Sequence, residues 1–157
     1  MDRSYLLVPA AFLAHTLEEL PRFPAWATRR FGTTSTRFYV VSHLTLLIPM
    51  TLKAGRDAAR DPDDPGAVFR ASAVAAGYGF NALFHIAASA LFREYSPGLA
   101  TGTTLMLPAS LGTLAKVRRD GAISDEQLLG SIVAGMALCT AAVGSLYLDM
   151  PTLGDEN

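Results

Sequence analysis

The sequence predicts an all-α fold, a polytopic transmembrane bundle of about five helices, and three observations carry that expectation. Hydrophobic residues make up 50% of the chain and charged residues 17%, whereas a soluble domain carries about a quarter charged residues. Asp, Glu, Lys and Arg are absent from residues 71–92, 95–115 and 127–148, runs of 22, 21 and 22 residues. About 20 apolar residues span a hydrocarbon core of roughly 30 Å. No run alternates with period two, and Ala and Leu dominate, so strands are not expected.

Two shorter charge-free runs, 4–17 and 38–52, hold 14 and 15 residues. Each reaches spanning length if a few flanking polar residues enter the bilayer, Glu18 and Glu19 in the first case. Helices are therefore expected near 4–20, 37–53, 70–92, 97–115 and 128–149, in one domain over 1–157. Arg3 before an apolar stretch looks like the start of a signal peptide. No small-x-small cleavage pattern follows and two glutamates do, so an uncleaved first helix is expected. Pro21, Pro24, Gly32 and the cluster Thr33 to Thr36 break the first helix from the second. Trp26 and Phe31 beside Arg29 and Arg30 suit an interfacial segment with rings at headgroup level. Residues 54–66 hold four aspartates, two arginines and two prolines and are expected to form a solvated loop, with no EF-hand spacing. Pro49 and Pro108 should kink the second and fourth helices and widen a cavity between them. Ser96-Pro97-Gly98 is a tight turn with Pro at a helix start. Ser124-Asp125-Glu126 resembles an N-cap with acids in the first turn. The small residues of the fifth helix (Gly130, Ala134, Gly135, Ala141, Ala142, Gly144, Ser145) predict close helix contact.

Thirteen basic and fourteen acidic residues give a net charge of −1. That argues against nucleic acid, which requires a basic face. The single cysteine, Cys139, excludes an intramolecular disulfide framework and a Cys-based zinc module; it is expected to pack in a buried position. With five spans, eight Lys and Arg lie on the N-terminal side and five on the other. The positive-inside rule then places the N-terminus in the cytoplasm of a plasma or inner membrane.

Ionisable residues inside the spans are the informative ones. In the first helix, His15 shares a face with Glu18 at i, i+3 and with Glu19 at i, i+4. The second carries Tyr39 and His43, and the third carries Asn81 and His85 at i, i+4, with Tyr78 and Ser89 extending the stripe. A rise of ~1.5 Å per residue places His15 about 13 Å, Glu18 and Glu19 about 8 Å, His43 about 9 Å and His85 about 12 Å from the membrane face opposite the N-terminus. Antiparallel helices thus bring their polar groups to one half of the bilayer. A charge at the centre of a membrane helix costs at least ~2.5 kcal/mol, and no Lys or Arg lies at that depth. Protons, the histidines or a divalent metal must compensate the glutamates.

The segment His15-Thr16-Leu17-Glu18-Glu19, with Asn81-x-x-x-His85 and Tyr95-Ser96-Pro97-Gly98 following in order, resembles the HXXEE-domain family. The resemblance covers the first to fourth helices. It implies a small polytopic membrane protein with a shared polar site and brings no reaction with it; His43 and Tyr39 enter on depth alone.

Three chemistries fit these residues. In the first, His15, Glu18, Glu19 and His85 bind a divalent metal (Fe, Zn or Mn), with His43 as a further ligand and Asn81, Tyr39 and Tyr78 behind the ligands or against substrate. Glu18, Glu19 and His85 then serve a hydrolytic or oxidative reaction on a lipophilic small molecule entering from the bilayer. Three histidines are too few for a His-rich membrane hydroxylase or desaturase. In the second, the Glu18/Glu19 pair performs metal-free acid–base chemistry, a cyclisation or isomerisation. In the third, the two glutamates are solvated near Arg22 and the other polar groups bond helix to helix. Non-enzymatic alternatives are an interaction subunit or an ion conductor, but the half nearer the N-terminus is nearly bare of the polar path a conductor needs. Thr101, Thr103 and Thr104 either line the pocket or bond back to their own helix. Glu94 and Asp149 lie near the same face. A homo-oligomer is compatible with any of these readings.

Overall fold

The computed structural model describes residues 1–32 and 35–145, and among them the chain is all-α, as expected, with no strand. A 3₁₀ turn, Arg3–Leu6, leads into α1 (Leu7–Glu19). A short α2 (Phe23–Phe31) follows, then α3 (Thr36–Arg60) and α4 (Pro65–Phe92). α5 covers residues 99–120, and α6 is Asp125–Ser145. Three of these helices, α3, α4 and α6, are long and apolar enough to cross a membrane by length and composition. The expected first span is 13 α-helical residues plus a four-residue 3₁₀ turn, roughly 27 Å of helix at standard rises.

Local chemistry sets the boundaries. Ser35 accepts from the Phe38 N–H at 3.2 Å and caps α3. Asp64 accepts from the Gly66 N–H at 2.9 Å, and Pro65 occupies the first turn of α4. Arg93, at φ 51° and ψ 38°, ends α4 in the left-handed region. Ser124 and Gln127 form a reciprocal capping box at α6, with bonds of 2.9 and 3.2 Å.

Two expectations are corrected. Residues 54–66 do not form one solvated loop: α3 continues to Arg60, and the chain turns only at 61–64. Charge there is amphipathic rather than loop-forming, since Ala54, Ala58 and Ala59 are buried while Lys53 and Asp57 pair outside at 2.6 Å. The interfacial segment after α1 is a helix, because Pro24 starts α2 at a position that needs no N–H donor. The end of the fifth expected span, with Asp149, and Thr33 lie outside the described residues.

Pro49 and Pro108 act through π-turns. His43–Leu47 and Gly102–Met106 are π-helical, and each stands just before a proline. Proline lacks an N–H and crowds the carbonyl four residues earlier; one extra residue in the preceding turn accommodates both effects. Ile48 and Leu107 accordingly donate to the carbonyls five residues back, those of His43 and Gly102.

α4 is the central helix, with α3, α5 and α6 packed around it. At the α4–α6 crossing a Cβ on Gly135 would lie 2.0 Å from the Ala73 carbonyl oxygen. Only glycine permits that approach. The core is layered. Tyr5, Val68, Val117 and Leu128 fill one end, Phe12, Ala82 and Met106 the middle, and Phe23, Trp26, Tyr39 and Ala88 the other end. At the first end the Asp2 N–H donates to the Ala59 carbonyl at 2.7 Å, and Lys116 Nζ lies 2.8 Å from Asp2 Oδ2. At the other, Arg30 grips Glu94 with two bonds of 2.6 and 2.5 Å, fixing α2 over the end of α4.

Candidate metal centre

α1, α4 and the turn into α5 meet between the middle and far core layers. His15 and Glu19 stand one turn apart on the inner face of α1, and His85 faces them from α4. All three are buried, and one ligand atom from each lies within 4.8 Å of the others. His15 Nε2 is 3.5 Å from Glu19 Oε2, and His85 Nε2 is 3.1 Å from Glu19 Oε1. Both Nε2 atoms are buried, and neither makes a well-aligned hydrogen bond: their one polar neighbour is the Glu19 carboxylate, at ion-pair distance. Buried polar atoms are paired in the great majority of cases, so two imidazole nitrogens converging on one carboxylate form a group that could hold a metal ion. The imidazole rings stand edge to face with centroids 5.0 Å apart. Two nitrogens and one carboxylate match the donor set of catalytic zinc and of mononuclear non-haem iron.

The histidines are fixed from behind. His15 Nδ1 lies 3.0 Å from Thr101 Oγ1, and His85 Nδ1 lies 2.9 Å from Ser96 Oγ. The Thr101 hydroxyl donates its one proton to Glu18 Oε2 at 2.5 Å. It must therefore accept from His15 Nδ1–H, and the lone pair of the neutral ring falls on Nε2, facing the cluster. Tyr39 Oη donates to Glu19 Oε2 at 2.7 Å, orienting that carboxylate as well.

Glu18 and Glu19 differ in role because they are successive residues on a helix, about 100° apart. Glu19 turns inward and Glu18 turns to the start of α5. Glu18 Oε1 accepts from the Gly98 N–H at 2.9 Å, the Ala100 N–H at 3.3 Å and the Tyr95 hydroxyl; Oε2 accepts from the Thr101 N–H at 2.8 Å and its hydroxyl. α5 has no side-chain cap of its own at Gly98. Glu18 supplies the missing acceptor from another helix, at the end where the dipole favours a negative charge. Both of its oxygens are occupied by these donors and stay out of the His15–Glu19–His85 cluster. No Lys or Arg pairs with Glu19 among the described residues.

The remaining expected residues line a neighbouring cavity of about 180 Å³, walled mainly by α3, α4 and α6, into which Glu19 also faces. His43 donates from Nδ1 to the Tyr39 carbonyl at 2.8 Å and packs at a tilt against the Tyr39 ring, centroids 4.1 Å apart. Tyr78 stacks on Phe12 at 4.1 Å and shares a 2.5 Å hydrogen bond with Thr51. Asn81 lines the same cavity, its Oδ1 without a partner. Thr103 and Thr104 bond back to carbonyls of their own helix, leaving Thr101 alone of the three in the site. Sequence reasoning gave no role to Ser96 or Gly98. Gly98 sits at φ +101°, and a Cβ there would meet His15 Cε1 at 2.6 Å and His85 Cε1 at 2.8 Å. The Ser96-Pro97-Gly98 turn was its signal, since glycine after proline marks a backbone that needs a left-handed residue or close approach.

Neither a curated protein nor a solved structure matches the chain. A family model described as a protein of unknown function with HXXEE motif matches residues 6–113. That stretch runs from α1 into α5 and holds the three clustered residues together with Glu18, Ser96, Gly98 and Thr101. In this chain the named letters of the motif are the histidine of the cluster, the glutamate that caps α5 and the glutamate of the cluster, and the chain belongs to the HXXEE-motif family.

Proposed function

We propose that this protein is an integral-membrane, metal-dependent enzyme acting on a lipophilic small molecule. The observation that carries the reading is the pair of buried Nε2 atoms of His15 and His85 beside the Glu19 carboxylate. These three residues would hold one divalent ion, Fe, Zn or Mn, leaving coordination positions open. A bound ion of this kind supplies Lewis acidity or, if redox-active, dioxygen chemistry. The chain's own groups do the positioning. Thr101 and Ser96 fix the imidazoles, Tyr39 orients Glu19, and the apolar cavity that Glu19 faces receives the substrate.

Membrane insertion is supported by the three long apolar helices and by the cavity's flank. Leu46, Met50 and Leu138 line the cavity and are 59, 38 and 57% exposed, so its mouth opens between α3 and α6 onto an apolar exterior. A substrate dissolved in the hydrocarbon would enter there sideways. The excess of Lys and Arg on the N-terminal side supports a cytoplasmic N-terminus.

The test is elemental analysis of the detergent-purified protein after loading with Fe, Zn or Mn in turn. About one equivalent is expected, as a two-His, one-carboxylate set binds a single ion. It should be lost in His15→Ala, Glu19→Ala and His85→Ala and kept in His43→Ala. A folded protein that takes up no metal, or binding that these substitutions leave unchanged, overturns the proposal.

A further inference from the structure

Most polar groups on the cavity wall are already paired. Tyr39 donates to Glu19, Tyr78 bonds Thr51, and Ser42 donates to the Tyr39 carbonyl at 3.0 Å. Two groups are not. Among the described residues Asn81 Oδ1 is buried without a hydrogen-bond partner. His43 uses Nδ1 as a donor to a carbonyl, which can only accept. Its neutral ring therefore carries a lone pair on Nε2, and among the described residues that atom has no hydrogen-bond partner. The wall thus offers an amide and a separate acceptor in an otherwise apolar surface.

The chemistry of the wall narrows the ligand. Glu19 is the only carboxylic acid among the lining residues, and no Lys or Arg lines the cavity. A carboxylate or phosphate headgroup would bring a second negative charge beside Glu19 with nothing to balance it. A plain hydrocarbon would leave both open groups unmet. A hydroxyl adds no charge and meets one acceptor and one donor at a time: its proton goes to His43 Nε2 or to Asn81 Oδ1, and its oxygen accepts an Asn81 N–H. The mouth between α3 and α6 suits an apolar body that remains continuous with the lipid.

We infer that the cavity binds a neutral lipophilic alcohol, its hydroxyl held between Asn81 and His43. This rests on the proposal that the site receives a lipophile, and it adds the headgroup.

The experiment compares four probes of equal chain length, 1-dodecanol, dodecanoic acid, dodecylamine and dodecane. Binding to the wild-type protein in nanodiscs is followed by native mass spectrometry and by the shift of the melting temperature. Dodecanol should bind about tenfold or more tighter than dodecane and than dodecanoate, the scale of one or two hydrogen bonds. Asn81→Leu and His43→Phe should each erase the difference between alcohol and hydrocarbon. Phe keeps the ring contact with Tyr39, and the wild-type series decides the matter even if one variant does not fold. Equal binding of dodecanol and dodecane, or a preference for the acid or the amine, overturns the inference. The series is run on chelator-stripped and on zinc-loaded protein with metal content measured alongside. Alcohol selectivity in protein that takes up no metal would sink the metalloenzyme reading alone. Metal uptake without selectivity would sink the alcohol site alone.

Discussion

Glu18 and His15 are joined through a single hydroxyl, that of Thr101, which donates to Glu18 Oε2 at 2.5 Å and lies 3.0 Å from His15 Nδ1. The carboxylate thereby dictates which nitrogen of the imidazole carries the proton, without touching the ring. Thr101→Val keeps the shape and the Glu18 contacts to the backbone N–H groups while removing the relay. Metal affinity should fall roughly tenfold, at the low end of what outer-shell partners contribute, with the melting temperature little changed. Nitrogen NMR of the His15 ring should show the proton leaving Nδ1. Unchanged tautomer and affinity would show that the relay is idle.

The two glutamates should separate cleanly under substitution. Glu19→Gln should abolish stoichiometric metal. Glu18→Gln should leave the stoichiometry intact at saturating metal, weaken affinity about 10–100-fold and lower stability, because the first turn of α5 loses a charged acceptor. Metal titration and thermal denaturation of both variants check this. Identical behaviour of the two would contradict their separate roles.

Gly98→Ala should damage the centre from the backbone side. The added Cβ would stand 2.6 Å from His15 Cε1 at a φ of +101°. Crowding of this kind costs about 1–3 kcal/mol, and a left-handed backbone about 1–2 kcal/mol more. A lowered melting temperature with loss of bound metal is the expected result. Metal binding at wild-type affinity would mean that the turn has room to retreat.

Gly135→Leu tests the α4–α6 crossing. With a Cβ 2.0 Å from the Ala73 carbonyl oxygen, the helices must separate, and destabilisation of about 1–3 kcal/mol is expected. Since α6 walls the cavity, probe binding should weaken while metal uptake by α1 and α4 persists.

Much of this arrangement was legible beforehand, for identifiable reasons. Charge-free runs located the helices because burial in oil or protein penalises ions wherever they stand. Depth arithmetic brought His15 and His85 together because a helix has a fixed rise. It could not separate Glu18 from Glu19, since both are one turn from His15 and only the loop before α5 distinguishes them. That loop contributes Ser96, Gly98 and Thr101 through backbone geometry, which residue type alone does not encode. Arg60 and its neighbours were misplaced for the opposite reason. Charge density alone suggests a loop, whereas an alanine stripe with an i, i+4 ion pair is an amphipathic helix.

Acid should loosen the end remote from the site. Lys116 beside Asp2, with Ser4 donating to it, holds the Asp2 carboxyl below its ordinary value of 3.8, at about 2. A depressed folded value means that the contribution is complete above the ordinary value and is lost as pH falls through about 2. The melting temperature of the wild-type protein should therefore fall more steeply across that acid window than that of Asp2→Asn. Parallel curves would show that the link adds nothing to stability.

The π-turns before Pro49 and Pro108 also set angular phase. One surplus residue advances a helix by about 100°, so the residues upstream of each wide turn point elsewhere than an unbroken helix would aim them. Thr101 lies just upstream of one, and Tyr39, with Ser42 as its neighbour, upstream of the other. The groups that steady the His15 ring and the Glu19 carboxylate thus owe their bearing to a local count of residues. Deletion of one residue inside either wide turn would rotate a supporting hydroxyl out of register while leaving His15, Glu19 and His85 chemically intact.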